Sequence, residues 1–217
     1  IEIGGSAHNR FPVRALNVDV TREKDPKYQA EERRLAGEVL PVDVVASGDD
    51  LPFDDKSVDF VLASHVIEHF PDPVRALLEW ERVARRYLFL VVPHRDRTFD
   101  YDRALDPVDH LLARHAAGFT SEEDRHWTAW TCESFVALCA ALGLEVVATE
   151  DPDRKNGNGF VVVIACDPDT PRAQALSLAL AASNNVDRAR LVAAVAHLDV
   201  ALDAAADWTQ FESEGLP

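Results

Sequence analysis

The sequence predicts an α/β fold: a seven-stranded, mainly parallel sheet with a C-terminal antiparallel hairpin, plus an appended helical tail. Three observations carry this expectation. Short apolar runs alternate with helical patterns along most of the chain, the arrangement that builds a parallel sheet. The last two apolar runs are joined by "DPDRKNGNG", whose Asn156-Gly157 is a tight-turn signal that makes them antiparallel neighbours. From Pro171 onward the composition becomes alanine-rich and helical. A length of 217 residues fits one compact domain, placed at 1–170, and a helical extension at 171–217.

In order, strands are expected at Ile1–Gly4, Leu16–Val20, Val42–Ala46, Asp59–Ser64, Tyr87–Val92, Leu144–Glu150 and Phe160–Cys166. Only the eleven residues Ser6 to Leu16 separate Gly5 from Asn17, so the first crossover holds at most a very short helix. Asp72-Pro73 reads as an N-cap followed by proline at the first helical position, opening a helix to about Arg86. Val74, Leu77, Leu78 and Val83 fit its apolar face. Thr131 opens a further helix that stops at Gly143, a C-terminal glycine. In the tail, Leu191, Val195, Leu198, Leu202 and Ala205 form a short heptad-like seam, suited either to packing on the domain or to pairing two chains as a homodimer.

Charge and cysteine content narrow the function classes. With 22 basic and 38 acidic side chains the formal net charge is −16, a field that repels phosphate backbones and anionic membranes. Neither a nucleic acid nor a membrane is expected as partner. Cys132, Cys139 and Cys166 form an odd set without a CxxC, which suits a reducing, cytoplasmic setting. The chain has no methionine and begins inside an apparent strand, so an upstream segment is expected.

The chemistry-bearing residues cluster at strand ends. Glu2-Ile-Gly4-Gly5 closes the first strand with a turn that brings backbone close to a ligand. Asp19 ends the second, where a carboxylate can accept both hydroxyls of a ribose. Next, "SHVIEHFPDP" contains His65-x-x-Glu68-His69, the H-x-x-E-H pattern of one class of zinc peptidases. Such a site needs both histidines on a long helix. Here a strand ends at Ser64 and Pro71 follows His69 within two residues, so the stretch reads better as a strand-end loop, and no metal site is assigned.

The run "ASGDDLPFDDKSVDFVLASHVIEHF" completes a D-x-L-P-F…S-x-D-x-V…E-H order that resembles the class I S-adenosylmethionine (SAM)-dependent methyltransferases, of the methyltransferase type 11-like subgroup. The resemblance runs from Ile1 to about Cys166 and implies a Rossmann-like fold, SAM as cofactor and methyl transfer as the activity. By its implication Glu2, Gly4 and Gly5 face the methionine part of SAM, and Asp19 the ribose. Ser47, Gly48 and Asp49 face the adenine edge, with Ser64 and His65 beside the sulfonium and methionine. Ser6 and His8 replace later glycines of the family pattern, with Ser6 beside the cofactor and His8 near its carboxylate.

Acceptor chemistry falls on the loops beyond the strand ends. "PHRDRTFDYDR" supplies His94 as a base candidate and Arg95 and Arg97 for an anionic acceptor. "DRHWTAWT" supplies His126, a second base candidate, with Trp127 and Trp130 as pocket walls. His69 is the third candidate base, or else a substrate contact or loop anchor. His110, His115 and His197 read as ordinary helix histidines. The expected acceptor is a small polar molecule methylated at oxygen: a sugar, sugar-nucleotide, natural-product intermediate or peptide carboxylate. Nitrogen is the alternative acceptor, and a SAM-binding assembly protein without turnover is a further one.

Overall fold

The computed structural model describes residues 1–6, 11, 13–24 and 26–166. His8, His197, the heptad-like seam and the whole 171–217 extension lie outside the described residues.

Seven strands form one sheet: β1 Glu2–Ile3, β2 Asn17–Asp19, β3 Val44–Val45, β4 Val58–Ser64, β5 Ala84–Pro93, β6 Glu145–Glu150 and β7 Gly159–Ala165. Their order across the sheet is β3-β2-β1-β4-β5-β7-β6. The pairs from β3 to β5 are parallel, whereas β7 runs antiparallel to both β5 and β6. The strand order reverses beside β1, so β1 and β4 end at a switch point, where open α/β sheets bind ligands.

Alternation along the central strands sets the two faces. Val61 and Ala63 of β4, Leu88, Leu90 and Val92 of β5, and Phe160, Val162 and Ile164 of β7 point into the main core. Helices α2 (Pro73–Val83), α3 (Val108–Ala116) and α4 (Cys132–Ala141) cover that side. The intervening Leu62, Val91 and Val161 meet Phe11 on the other face. Phe11 packs edge-on to Phe89 at 5.5 Å between ring centroids, so a side chain from the short first crossover covers sheet there.

The caps follow the expected chemistry. Asp72 accepts the Arg75 amide at 3.0 Å to start α2, and Thr131 with Ser134 forms a reciprocal capping box at α4. Gly143 adopts φ +73° just past α4. The end of α2 is corrected: the helix stops at Val83, not near Arg86, and β5 begins at Ala84. Pairing of Ala84 with Val58 and an ion pair from Arg85 to Asp59 draw this segment into the sheet. The α2 face is also corrected, since Leu78 is exposed while Ala76 and Trp80 are buried.

A helix that the sequence reading did not place, α1 (Pro26–Ala36), buries only Glu32. That carboxylate takes the Lys24 ammonium at 2.6 Å and the Leu40 amide at 3.2 Å. The Leu51-Pro-Phe53 motif is held by α2, whose Glu79 accepts the Leu51 amide at 2.7 Å while Arg82 donates to the Phe53 carbonyl at 2.9 Å. All three cysteines are free thiols. Among the described residues, no helix is long and apolar enough to cross a membrane.

Candidate active site

The residues expected at the cofactor lie at or beyond the carboxyl ends of β1, β2, β3 and β4. Glu2 is buried, and its Oε1 accepts the Phe11 amide at 2.8 Å, tying down the loop that follows β1. Gly4 has φ +63°, and a Cβ there would meet Val66 at 2.9 Å. A Cβ on Gly5 would meet both Asn17 Oδ1 and Glu2 Cδ at 2.9 Å, so the chain's own packing demands glycine at both positions. Asn17 locks the turn by accepting the Gly5 amide at 3.0 Å and donating to the Gly5 carbonyl at 3.0 Å. Ser6 follows, half-buried. At the end of β2, burial pushes the Asp19 carboxyl above its ordinary value.

The turn over Ser47, Gly48 and Asp49 is anchored from beneath. Trp80 Nε1 donates to the Gly48 carbonyl at 2.7 Å, and Ser47 bonds Asp49. A Cβ on Gly48 would sit 2.7 Å from Phe70, which excludes any larger residue without repacking. At the end of β4, Ser64 is buried and His65 takes φ +54°, rare for a residue with a side chain. The His65 Nε2 is buried without a hydrogen-bond partner, and burial with the nearby Lys155 charge pulls the ring down to about 4. A half-buried carboxylate, a partnerless ring nitrogen and an anchored turn fit a ligand with ribose hydroxyls and a polar purine edge.

Sequence reasoning missed Lys155. It reaches from the β6–β7 connection to donate to Ser64 Oγ at 3.3 Å, with its ammonium 5.5 Å from the centre of the Phe11 ring. Burial lowers its pKa from the ordinary 10.5 to about 8. Between those values the unfolded chain binds the proton and the folded chain does not, so this group makes stability rise with pH. The melting temperature of the parent, less that of Lys155→Met, should therefore increase from pH 8 to pH 10. Parallel melting curves across that range would show the lysine to be solvated.

On the acceptor side, the short 3-10 turn Ile67–His69 rotates Glu68 inward, where it is wholly buried. The Glu68 carbonyl accepts the Trp127 amide at 2.7 Å, which brings the segment before α4 against this turn. As a result His126 Nε2 and His69 Nε2 each lie 3.9 Å from Glu68 Oε1. The other ring nitrogens are tied to carboxylates: His126 Nδ1 to Asp100 at 2.6 Å and His69 Nδ1 to Asp124 at 2.8 Å. Burial, then the Asp100 charge, pushes the Glu68 carboxyl up to about 8. Burial opposes ionisation of Asp100 too, yet Arg103 and His126 hold it below the usual range. The His65 ring feels the charges of both His69 and His126, so this centre adjoins the cofactor side.

Several expected site residues are placed elsewhere. His94 is buried at the end of β5; its Nδ1 accepts the Asp96 amide at 3.1 Å and its Nε2 faces Asp151 at 3.9 Å. Arg95 pairs with Asp96 at 2.8 Å. Arg97 bonds Asp151 and donates to the Gly159 carbonyl at 2.8 Å. These side chains brace the loop against the hairpin. Trp130, expected as a pocket wall, lies buried in the core with its ring 5.1 Å from Phe135. Trp127 stays half-buried under the Arg125 guanidinium, 3.6 Å from the ring centre. His115, read as an ordinary helix histidine, instead joins α3 to the start of α2 through Asp72 at 2.8 Å. Glu68 carried a sequence signal only as a member of His65-x-x-Glu68-His69, and Asp100 none beyond its charge.

The H-x-x-E-H reading is resolved by the same geometry. Glu68 and His69 converge with His126 and not with His65, which belongs to the end of β4.

A family model described as a methyltransferase domain matches residues 6–91. Among curated proteins, the chain is 29% identical over 110 residues to ajmaline N-methyltransferase of Rauvolfia serpentina, an alignment covering 48% of this chain and 35% of that enzyme. The chain thus spans about a third of the length of that relative. Among solved structures, a SAM-dependent methyltransferase from Thermotoga maritima is 21% identical, with 76% of this chain and 79% of that chain covered and a TM-score of 0.46. A SAM-dependent methyltransferase from Aquifex aeolicus is 17% identical, with 69% and 67% covered and a TM-score of 0.42.

Proposed function

We propose that this chain is a class I SAM-dependent methyltransferase with SAM as its cofactor, as the methyltransferase-domain match supports, and that it methylates a small polar acceptor at oxygen, beside the centre formed by Glu68, His69 and His126. The supporting observation is the convergence of those two histidines beyond the ends of β4 and β5, next to His65 at the cofactor side. Bound SAM supplies a methyl carbon already activated on a positively charged sulfur. The protein then needs only to hold the acceptor in line, exclude water and manage one proton.

The expected cofactor roles fall to the residues at the strand ends. Asp19 accepts the ribose hydroxyls, the Ser47–Asp49 turn meets the adenine edge, and the Glu2–Gly5 loop with Ser64 and His65 borders the methionine end. For the acceptor, His126 is the better-placed base. Asp100 holds its Nδ1 proton, which leaves the Nε2 lone pair facing the site. His94 has its Nδ1 engaged by the loop, so the base role is assigned to His126, with His69 second. A neutral or weakly charged acceptor is favoured, because Arg95 and Arg97 already carry carboxylate partners. Among the expected acceptors, this ranks a sugar or a natural-product hydroxyl above a peptide carboxylate.

A nitrogen acceptor is the second reading, supported by the name of the curated relative. Calorimetric titration with SAM and S-adenosylhomocysteine tests the cofactor. Transfer of labelled methyl to a panel of alcohols and amines, with mass analysis of the product, tests the acceptor atom. Tight SAM binding with no S-adenosylhomocysteine formed on any acceptor would favour an assembly protein instead. Asp19→Ala should weaken SAM binding about tenfold or more through the lost ribose bonds, and an unchanged affinity would remove Asp19 from the site.

A further inference from the structure

We infer that Glu68, His69 and His126 bind one divalent transition-metal ion. The hydrogen-bond inventory carries the argument. The Glu68 side chain is fully buried, and neither carboxylate oxygen has a hydrogen-bond partner among the described residues. An orphaned buried carboxylate costs several kcal/mol in general, so natural proteins pair such groups or give them to a metal. The groups facing it are also lone-pair donors. Each histidine commits its Nδ1 to a carboxylate, His126 to Asp100 and His69 to Asp124, which only a protonated Nδ1 can satisfy. In its neutral form each ring then presents an Nε2 lone pair toward Glu68 Oε1, both at 3.9 Å. Three potential ligand atoms within 4.8 Å of one another, the buried carboxyl giving up its proton to the ion that replaces it, are what a cation satisfies.

The supporting shell agrees. Histidines that bind metals usually donate their second nitrogen to a carboxylate, which fixes the tautomer and raises ligand basicity. Both do so here, and Arg103 steadies Asp100 at 2.7 Å. Two imidazoles and one carboxylate suit zinc, iron, cobalt or manganese and disfavour calcium or magnesium, which prefer all-oxygen sets. Bonds of about 2.1 Å in tetrahedral geometry put ligand atoms about 3.4 Å apart, so each histidine–glutamate separation needs to close by about half an ångström and the histidine–histidine one by at most about 1.4 Å. Three protein ligands leave a coordination position open.

The ion's role rests on the methyltransferase reading; its binding does not. An acceptor hydroxyl in the open position would form an oxygen–metal bond and release its proton to water at neutral pH. The Nε2 of His126 is then a ligand, and the ion takes over the task assigned above to that nitrogen.

The test uses the full chain, stripped with chelator and titrated with zinc chloride. Cobalt chloride serves as a visible-absorbing probe of coordination. Expected are one zinc per chain with micromolar or tighter affinity, and cobalt bands of a nitrogen–oxygen site. His69→Ala and His126→Ala should each weaken zinc binding about 100-fold, and His65→Ala should not. His69→Ala changes a partly exposed residue, so retained SAM binding by that variant certifies its fold. Binding weaker than millimolar in the parent overturns the inference, as does binding that survives both variants or depends on His65. Stoichiometric zinc without SAM binding would overturn the methyltransferase reading alone; SAM binding without zinc would overturn the metal site alone.

Discussion

His126→Ala should slow methyl transfer by about 100-fold or more while SAM affinity stays within a few-fold of the parent. The expectation follows from where each ring nitrogen is spent. Nδ1 is fixed on Asp100 at 2.6 Å, Asp100 is fixed in turn by Arg103, and Phe99 lies 4.5 Å from the imidazole between ring centroids. Such bracing fixes Nε2 toward Glu68, whereas the exposed Asp124 is the weaker brace on His69, the second candidate. Whether Nε2 takes the acceptor proton itself or holds an ion that does so, its removal takes away the step that makes a neutral hydroxyl nucleophilic. The cofactor residues belong to other strands, so binding should survive. Asp100→Asn should fall between, because an amide can present the wrong group to Nδ1 and release the tautomer. His94→Ala is the informative comparison: its ring serves the 94–97 loop, so stability should suffer more than the chemical step. The assignment fails if His126→Ala turns over within threefold of the parent with an oxygen acceptor.

The sheet was legible because its signals are local and mutually consistent. Alternating apolar faces place β4, β5 and β7, the Asp72 and Thr131 caps place two helices, and the Asn156-Gly157 turn places the antiparallel end. Misreadings arose where a long-range partner outweighed a local pattern. Arg85 and Arg86 continue a helical sequence, yet pairing of Ala84 with Val58 claims them for β5. Trp130 resembles a pocket aromatic in sequence, but the isolated bridge between His94 and Trp130 carries it into the core. The residues expected at the cofactor were readable as a motif because they follow strands in order. The cluster around Glu68 was not, because Glu68, Asp100 and His126 come from three separate connections. Nothing in His65-x-x-Glu68-His69 announces that a 3-10 turn will bury the glutamate and pair it with a distant histidine.

Trp80→Ala should cost about 3–5 kcal/mol of stability. Trp80 is completely buried and packs edge-on to Phe70 at 5.8 Å between ring centroids. Removing the indole leaves a large void between α2 and the sheet, and close-packed surroundings refill such voids only in part. A second loss concerns function. The indole N–H is the donor to the Gly48 carbonyl at 2.7 Å, and Gly48 is wedged against Phe70 and Ile3 without room for a Cβ. The turn that should meet the adenine edge is thus clamped by two hydrogen bonds from α2, the second from Arg75 Nε to the Asp49 carbonyl at 3.2 Å, and by two side chains at its flank. Trp80→Phe separates the two effects by keeping most of the packing while leaving the carbonyl orphaned, for about 1–3 kcal/mol. Urea denaturation should rank the parent above Trp80→Phe and that above Trp80→Ala. SAM titration of the Phe variant should show several-fold weaker binding, because the turn must now be ordered by the ligand. Equal SAM affinity in a measurably destabilised Trp80→Phe protein would mean that the indole supports the core alone and that Ser47–Asp49 does not touch the cofactor.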